Sequence, residues 1–183
     1  MEDSENESRH VVVGVSNIDA QIRREQEFAE AQALAKQDSL TSVKNKRAFN
    51  KSEKDMDEAI SQGKLDHFAV EVCEVLGTAG KKATSEEIVD ASQLICDTFR
   101  HSPVYRVDDT EFAVLIRGRD YKFREKILQI LEDGINRNKA SGGAVIATGF
   151  AEFDAGLDNT VESVFERASI AMDENKHVLQ EDG

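Results

Sequence analysis

One stretch limits the possible folds more than any other: Tyr105-Arg106-Val107-Asp108-Asp109-Thr110-Glu111-Phe112-Ala113-Val114-Leu115-Ile116. Val104, Tyr105 and Val107 lead into a polar tip, Asp108-Asp109-Thr110, and Phe112, Val114 and Ile116 lead out of it. Short β-prone runs on either side of an Asp-rich turn predict a hairpin. A hairpin needs further strands and a covering layer to be stable. Residues 65–75 read as a core strand, with Phe68, Val70 and Val72 alternating with Ala69, Glu71 and Cys73. Residues 144–151 read as another buried strand.

Between the strands, apolar residues recur at helical spacing. Phe49, Met56, Ala59 and Ile60 form one face, closed by Gly63. A capping box at Thr84-Ser85-Glu86-Glu87 opens a second helix, running to about His101 with Ile88, Ala91, Ile95 and Phe99 inside. A third stripe is Phe123, Ile127, Ile130 and Leu131, followed by a loop over residues 136–143. Asp158-Asn159-Thr160 caps a last helix whose core face is Val161, Val164, Phe165, Ala168 and Met172.

The N-terminal part is of a different kind. Residues 1–9 are polar and acidic and read as a disordered tail. His10-Val11-Val12-Val13-Gly14-Val15 reads as a short strand, and residues 16–37 as a charged linker helix capped by Asn17 or Asp19. Ile18, Ile22, Phe28, Ala29, Ala33 and Leu34 give that helix an imperfect apolar stripe, open to a two-stranded coil or a solvated helix. The strand-to-helix passage resembles the exit of a PAS sensor domain. That resemblance implies a piece of a larger sensor protein.

Charge and composition exclude some partners. The formal net charge of −13 argues against nucleic acid or an anionic membrane surface. No apolar run approaches a membrane span, and the N-terminus lacks a signal-peptide pattern. Cys73 and Cys96 lie in apolar contexts without metal-ligand spacing, the pattern of buried thiols in a reducing cytoplasm. The scattered histidines suggest no zinc site.

Two segments together resemble the GGDEF family, the diguanylate cyclases. The hairpin is similar to Arg-x-Gly-Gly-Asp/Glu-Glu-Phe, matched by Arg106, Glu111 and Phe112. The upstream segment is similar to the family's opening, Asp-x-Leu-Thr-Gly-Leu/Val-x-Asn-Lys/Arg-Arg-x-Phe/Tyr. Asp38, Leu40, Thr41, Asn45, Arg47 and Phe49 match it, with Ser42 at the usual glycine. The resemblance covers residues 38–180. It implies an α/β (α+β) sandwich similar to nucleotide cyclases: a five-stranded, mainly antiparallel sheet with flanking helices, preceded here by the linker helix. It also implies the family's reaction, in which two protomers each hold GTP and Mg²⁺ and jointly form cyclic di-GMP.

The family's functional positions are altered. Asp108 and Asp109 stand at the two glycines, and Thr110 stands at the acidic metal position. Glu74 stands at the aspartate that ends the first core strand and holds magnesium; its extra methylene displaces the carboxylate, and it reads rather as a solvated strand-end glutamate. Setting Gly80-Lys81-Lys82-Ala83-Thr84-Ser85 against the family's Gly-His-x-x-Gly-Asp puts Lys81 at the His and Ser85 at the guanine-reading Asp. About six residues before it, including an Asn-Asp pair, are missing. Lys176 matches the lysine that contacts triphosphate in the family, although a lone lysine late in a helix is also an ordinary solvated cation. Arg100-His101-Ser102-Pro103 has Pro103 where the product-inhibition motif has Asp, and Arg100 reads as a helix C-terminal cation.

The expectation is a catalytically inactive GGDEF-like domain serving as a signalling or interaction module of a bacterial sensor protein. The vestigial site comprises Asp108, Asp109, Thr110, Glu111 and Phe112 on the hairpin, Lys176, Lys81 and Ser85 toward a nucleotide, and Glu74 toward a metal. Alternatives are an active diguanylate cyclase and a non-catalytic receiver of GTP or cyclic di-GMP. No cofactor is expected, with Mg²⁺ entering only beside a bound nucleotide. A homodimer through the linker helix and a partner protein are the expected contacts. The cluster Asp108, Asp109 and Glu111 reads first as a solvated acidic turn, with a hard-cation site such as Ca²⁺ as the alternative.

Overall fold

Strands and helices that are each apolar on one side become stable when stacked in layers, and this chain stacks them three deep. A computed structural model of the protein describes residues 4–78 and 81–181, with side chains from Asn17 onward. It divides into two compact units, Met1–Lys36 and Gln37–Gly183.

The first unit is a single helix, α1 (Ser4–Leu34). The strand expected at residues 10–15, on which the PAS resemblance rested, is therefore not formed, and the disordered tail is helical from Ser4; residues 1–3 of that tail lie outside the described residues. A lone strand leaves its backbone groups without partners, whereas a helix satisfies them within itself. Asn17 and Asp19, expected as caps, lie inside the helix. Ile18, Ile22, Phe28 and Leu34 are exposed along α1.

In the second unit the order is β1 (Lys44–Asn45), α2 (Lys46–Ser61), β2 (Ala69–Leu76), α3 (Ser85–Thr98), β3 (Val104–Arg106), β4 (Glu111–Ile116), α4 (Gly118–Lys122), α5 (Arg124–Ala140), β5 (Val145–Glu152) and α6 (Val161–Glu181). The five strands form one sheet in the order β1-β3-β4-β2-β5. Only the β1–β3 pair is parallel. The predicted hairpin is β3–β4, with Arg106 opposite Phe112.

Alternation along β2 assigns the layers. Val70 and Val72 pack with Ala48, Phe49 and Met56 of α2 and Val164, Ala168 and Met172 of α6. Ala69, Cys73 and Val75 pack with Ile88 and Ile95 of α3 and Leu131 of α5. With both faces covered, β2 is apolar almost throughout. Of its two polar residues, Glu74 is half-buried near the strand's end and Glu71 is buried.

Caps follow the expected chemistry in two helices. The Asn45 side chain accepts from the Ala48 amide to start α2, and Thr84 with Glu87 forms the capping box of α3. Two readings need correction. The helix α5 continues to Ala140 rather than yielding to a loop at 136, because polar residues extend an exposed helical end as readily as they make a loop. Phe123 and Ile130 are exposed, and Leu131 and Ile135 are buried. The break between α4 and α5 falls at Phe123 and resets the helical phase.

Gly149 fixes the spacing of α6 from the sheet. A Cβ there would collide with the Ala168 carbonyl oxygen and the Met172 backbone nitrogen. Only glycine permits that approach.

Candidate nucleotide and metal site

The two motif segments meet through one ion pair. Arg106 Nη1 donates to Asp38 Oδ1 at 3.0 Å and Oδ2 at 3.1 Å, and its Nη2 donates to the Asp109 carbonyl at 2.6 Å. Asp38 also accepts from the Thr41 amide at 2.9 Å and the Thr41 hydroxyl at 2.8 Å. Burial pushes the Asp38 carboxyl up, but the bonds from Thr41 and the nearby Arg106 outweigh it and hold the group below its ordinary value. The loop closes when the Asp38 amide donates to the Val43 carbonyl and the Ser42 amide to the Asp38 carbonyl. That turn places Ser42 at φ +61°, the left-handed region that favours glycine. Arg106 thus fastens the hairpin to the loop before α2, a structural role independent of any substrate.

At the hairpin tip Asp109 donates its amide to the Asp108 side chain at 2.8 Å, and the Val75 amide donates to the Thr110 carbonyl at 2.9 Å. Asp108, Asp109 and Thr110 form one wall of a cleft of about 1080 Å³. Glu74, Lys81 and Lys176 face it as the motifs suggest, joined by Lys82 and Lys139. Neither extra lysine has a local sequence signal, and Lys139 sits on the part of α5 that reads as loop. Phe112 is core, fully buried against the α3/α5 layer.

Ser85 does not line the cleft. It is the first residue of α3, beside the Thr84 cap. Glu87 closes the short loop ahead of α3: it accepts from the Thr84 amide at 2.7 Å and from the Thr78 hydroxyl and amide. Those bonds, the Thr78 hydroxyl first, hold its carboxyl down to about 2. These residues build a helix cap. Gly80, part of the same motif alignment, lies outside the described residues.

Lys176 Nζ donates to both Glu74 carboxylate oxygens at 2.8 Å, so Glu74 is a paired group rather than a solvated strand end, and Lys176 is no free cation. Glu111 lies directly across the β2–β4 ladder from Glu74. Burial raises the Glu111 carboxyl above its ordinary value, with Glu74, Asp108 and Asp173 adding to the shift and Lys46 opposing it.

Magnesium requires hard oxygen donors in near-ideal octahedral geometry. Here one carboxylate is neutralised by lysine, the position beside it is a threonine, and the remaining carboxyl holds its proton more tightly than usual. The donor set does not fit the ion. Among the described residues no group of three or more His, Cys, Asp or Glu side chains is arranged to hold a metal, so the Asp108–Asp109–Glu111 cluster does not assemble a Ca²⁺ site.

Solved structures share this architecture. The coiled coil and GGDEF domain of DgcB from Caulobacter crescentus, in complex with c-di-GMP, superposes with a TM-score of 0.71 at 20% identity, covering 91% of this chain and 94% of that one. The chain has the fold of a GGDEF domain. The FimX GGDEF domain from Pseudomonas aeruginosa matches with a TM-score of 0.58 at 20% identity over 76% of this chain and 93% of that one. The diguanylate cyclase SiaD of the same organism, in complex with its activator SiaC, matches with a TM-score of 0.67 at 16% identity over 95% of this chain and 70% of that one. No family model matches the sequence, and no curated protein matches it. Among the described residues no helix is long and apolar enough to cross a membrane.

Proposed function

We propose that this GGDEF-fold domain is catalytically inactive and serves as a signalling or interaction module of a bacterial sensor protein. The observation that carries the reading is the closed Glu74–Lys176 ion pair beside Thr110. Phosphoryl transfer in this fold family depends on carboxylates that hold metal and cations that hold phosphate. In this chain one of each is spent on the other, and the second metal carboxylate is replaced. Asp108 and Asp109 further place two negative side chains where a polyanionic nucleotide would lie.

In this reading α1 joins an input to the domain and pairs with a second copy through Ile18, Ile22, Phe28 and Leu34. The coiled coil of DgcB supports that arrangement, and the SiaD–SiaC complex supports a protein partner acting on a domain of this fold. A second reading is a receiver that binds GTP or cyclic di-GMP without turnover. It is favoured by Lys81, Lys82 and Lys139 lining the cleft together with Lys176.

Calorimetric titration of the full chain with GTP and with cyclic di-GMP, each with Mg²⁺, separates the two. The first reading expects no saturable heat from either nucleotide. Micromolar binding of either one selects the receiver and overturns the module.

A further inference from the structure

Away from the cleft, a buried carboxyl group faces a cavity with nothing to bind it. Glu71 lies in the middle of β2, on the side of the sheet covered by α3 and α5. It is only 1% exposed, and its Oε2 has no hydrogen-bond partner. Its neighbours across the ladders are Val114 and Phe150, which offer it no polar side chain. An unpaired polar group at such depth costs several kcal/mol by transfer measurements, where a leucine would contribute stability. Native cores rarely keep such a group without a reason.

A cavity of about 410 Å³ opens beside Glu71 at the β5 edge of the sheet. Leu131, Ile146 and Phe150 supply apolar wall, and Glu132, Thr148 and Asn175 supply polar wall. Among the described residues no lysine, arginine or histidine lines it. The Asn175 side-chain oxygen is already engaged by the Thr148 amide at 2.9 Å. An anionic ligand would meet two carboxyl groups and no cation. A purely apolar ligand would fill space and leave Oε2 as unpaired as before.

We propose that this cavity binds a small organic cation, a primary ammonium group on a short hydrocarbon body, with Glu71 as its counter-ion. The ammonium satisfies the orphaned oxygen, and the hydrocarbon packs on Leu131, Ile146 and Phe150. Burial drives the Glu71 carboxyl well above its ordinary value, which favours the protonated, uncharged form in the ligand-free cavity. Binding then exchanges one charge for another: the protonated acid and the ammonium ion give a carboxylate–ammonium pair, and one proton passes to solvent. The other titratable groups around Glu71 are Cys73 on its own strand and Glu132 on α5. Val114 of β4, Phe150 of β5 and Asn175 of α6 carry no charge. Burial, and then Glu71 itself, raises the Cys73 thiol, so it stays protonated throughout.

The test titrates the full chain calorimetrically with n-hexylammonium, 1-hexanol and hexanoate at pH 7.5, in two buffers of different ionisation enthalpy. The expected result is saturable binding of the ammonium, release of up to one proton per ligand, and no binding of hexanoate. The E71Q variant should bind the ammonium about ten- to a hundredfold more weakly, the range set by loss of a charge-assisted hydrogen bond. Equal affinity for 1-hexanol, binding without proton release, undiminished binding by E71Q, or no saturable binding at millimolar ammonium would each overturn the proposal. The ligand comparison and the proton count use the wild-type chain and stand even if E71Q does not fold.

Discussion

Replacing Lys176 with methionine tests whether the Glu74–Lys176 pair is a structural device. The ammonium group of α6 sits 2.8 Å from both oxygens of Glu74 on β2, with side-chain exposures of 29% and 19%. Exposed pairs contribute about 0–1 kcal/mol, and breaking a fully buried pair costs about 3–5 kcal/mol. A pair about a quarter exposed falls between, at about 2 kcal/mol. The cost is sharpened by Glu111, directly opposite Glu74, since like charges facing across a ladder repel. In a chain of 183 residues this corresponds to a fall in Tm of about 4–8 °C.

The sign of the pH dependence follows from Glu111. Its carboxyl is raised above the ordinary 4.5 by burial, then by Glu74, Asp108 and Asp173. A raised carboxyl contributes stability that is present below its unfolded value and lost as pH rises through its folded value. Acidification therefore protonates Glu111 sooner than an ordinary carboxyl and relieves the uncompensated repulsion. The deficit of K176M should be largest at pH 7–8 and smaller at pH 5. Urea unfolding followed by far-UV circular dichroism suits a chain without tryptophan. A deficit below about 0.5 kcal/mol, as for a surface pair, or one unchanged between pH 5 and pH 8, would refute the argument.

Three further substitutions probe the rest of the fold. Ser42→Gly removes a left-handed strain of about 1–2 kcal/mol but restores freedom to the unfolded chain, so a net gain of about 0.5–1 kcal/mol is expected by urea denaturation; a loss would contradict the assigned loop geometry. Gly149→Ala drives a methyl group into the α6 backbone and should cost about 3 kcal/mol or more, whereas a Tm within about 2 °C of wild type would show that α6 yields easily. Glu71→Leu should remove an alkaline loss: the wild-type carboxyl, raised above the ordinary 4.5, forfeits about 1.4 kcal/mol per pH unit from there up to its folded value. Parallel pH profiles of wild type and E71L between pH 5 and pH 8 would count against a neutral buried acid.

The sheet was legible because its signals are local. Alternation announced β2 and the β3–β4 hairpin, and the helical period of Val161, Val164, Ala168 and Met172 placed α6 on the sheet. Capping chemistry at Thr84 and Glu87 was equally plain. The site was legible only as a set of altered positions. What those positions do depends on contacts between distant residues, such as Glu74 and Lys176, which are 102 positions apart. Glu71 was hidden for another reason. A period-two pattern gives a polar residue the outer face of a strand, but β2 has no outer face once α3 and α5 cover it. The valines at 11–13 favoured a strand by propensity, and the chain forms a helix there because local hydrogen bonding needs no partner strand.

The most direct measurement is formation of cyclic di-GMP from GTP by the purified chain with Mg²⁺, followed by chromatography beside an active diguanylate cyclase. The expected result is no product above the enzyme-free control over hours at high protein concentration. Appearance of cyclic di-GMP would mean that Glu74 is released from Lys176 and takes up metal with Glu111, and it would contradict the reading of this domain as catalytically spent.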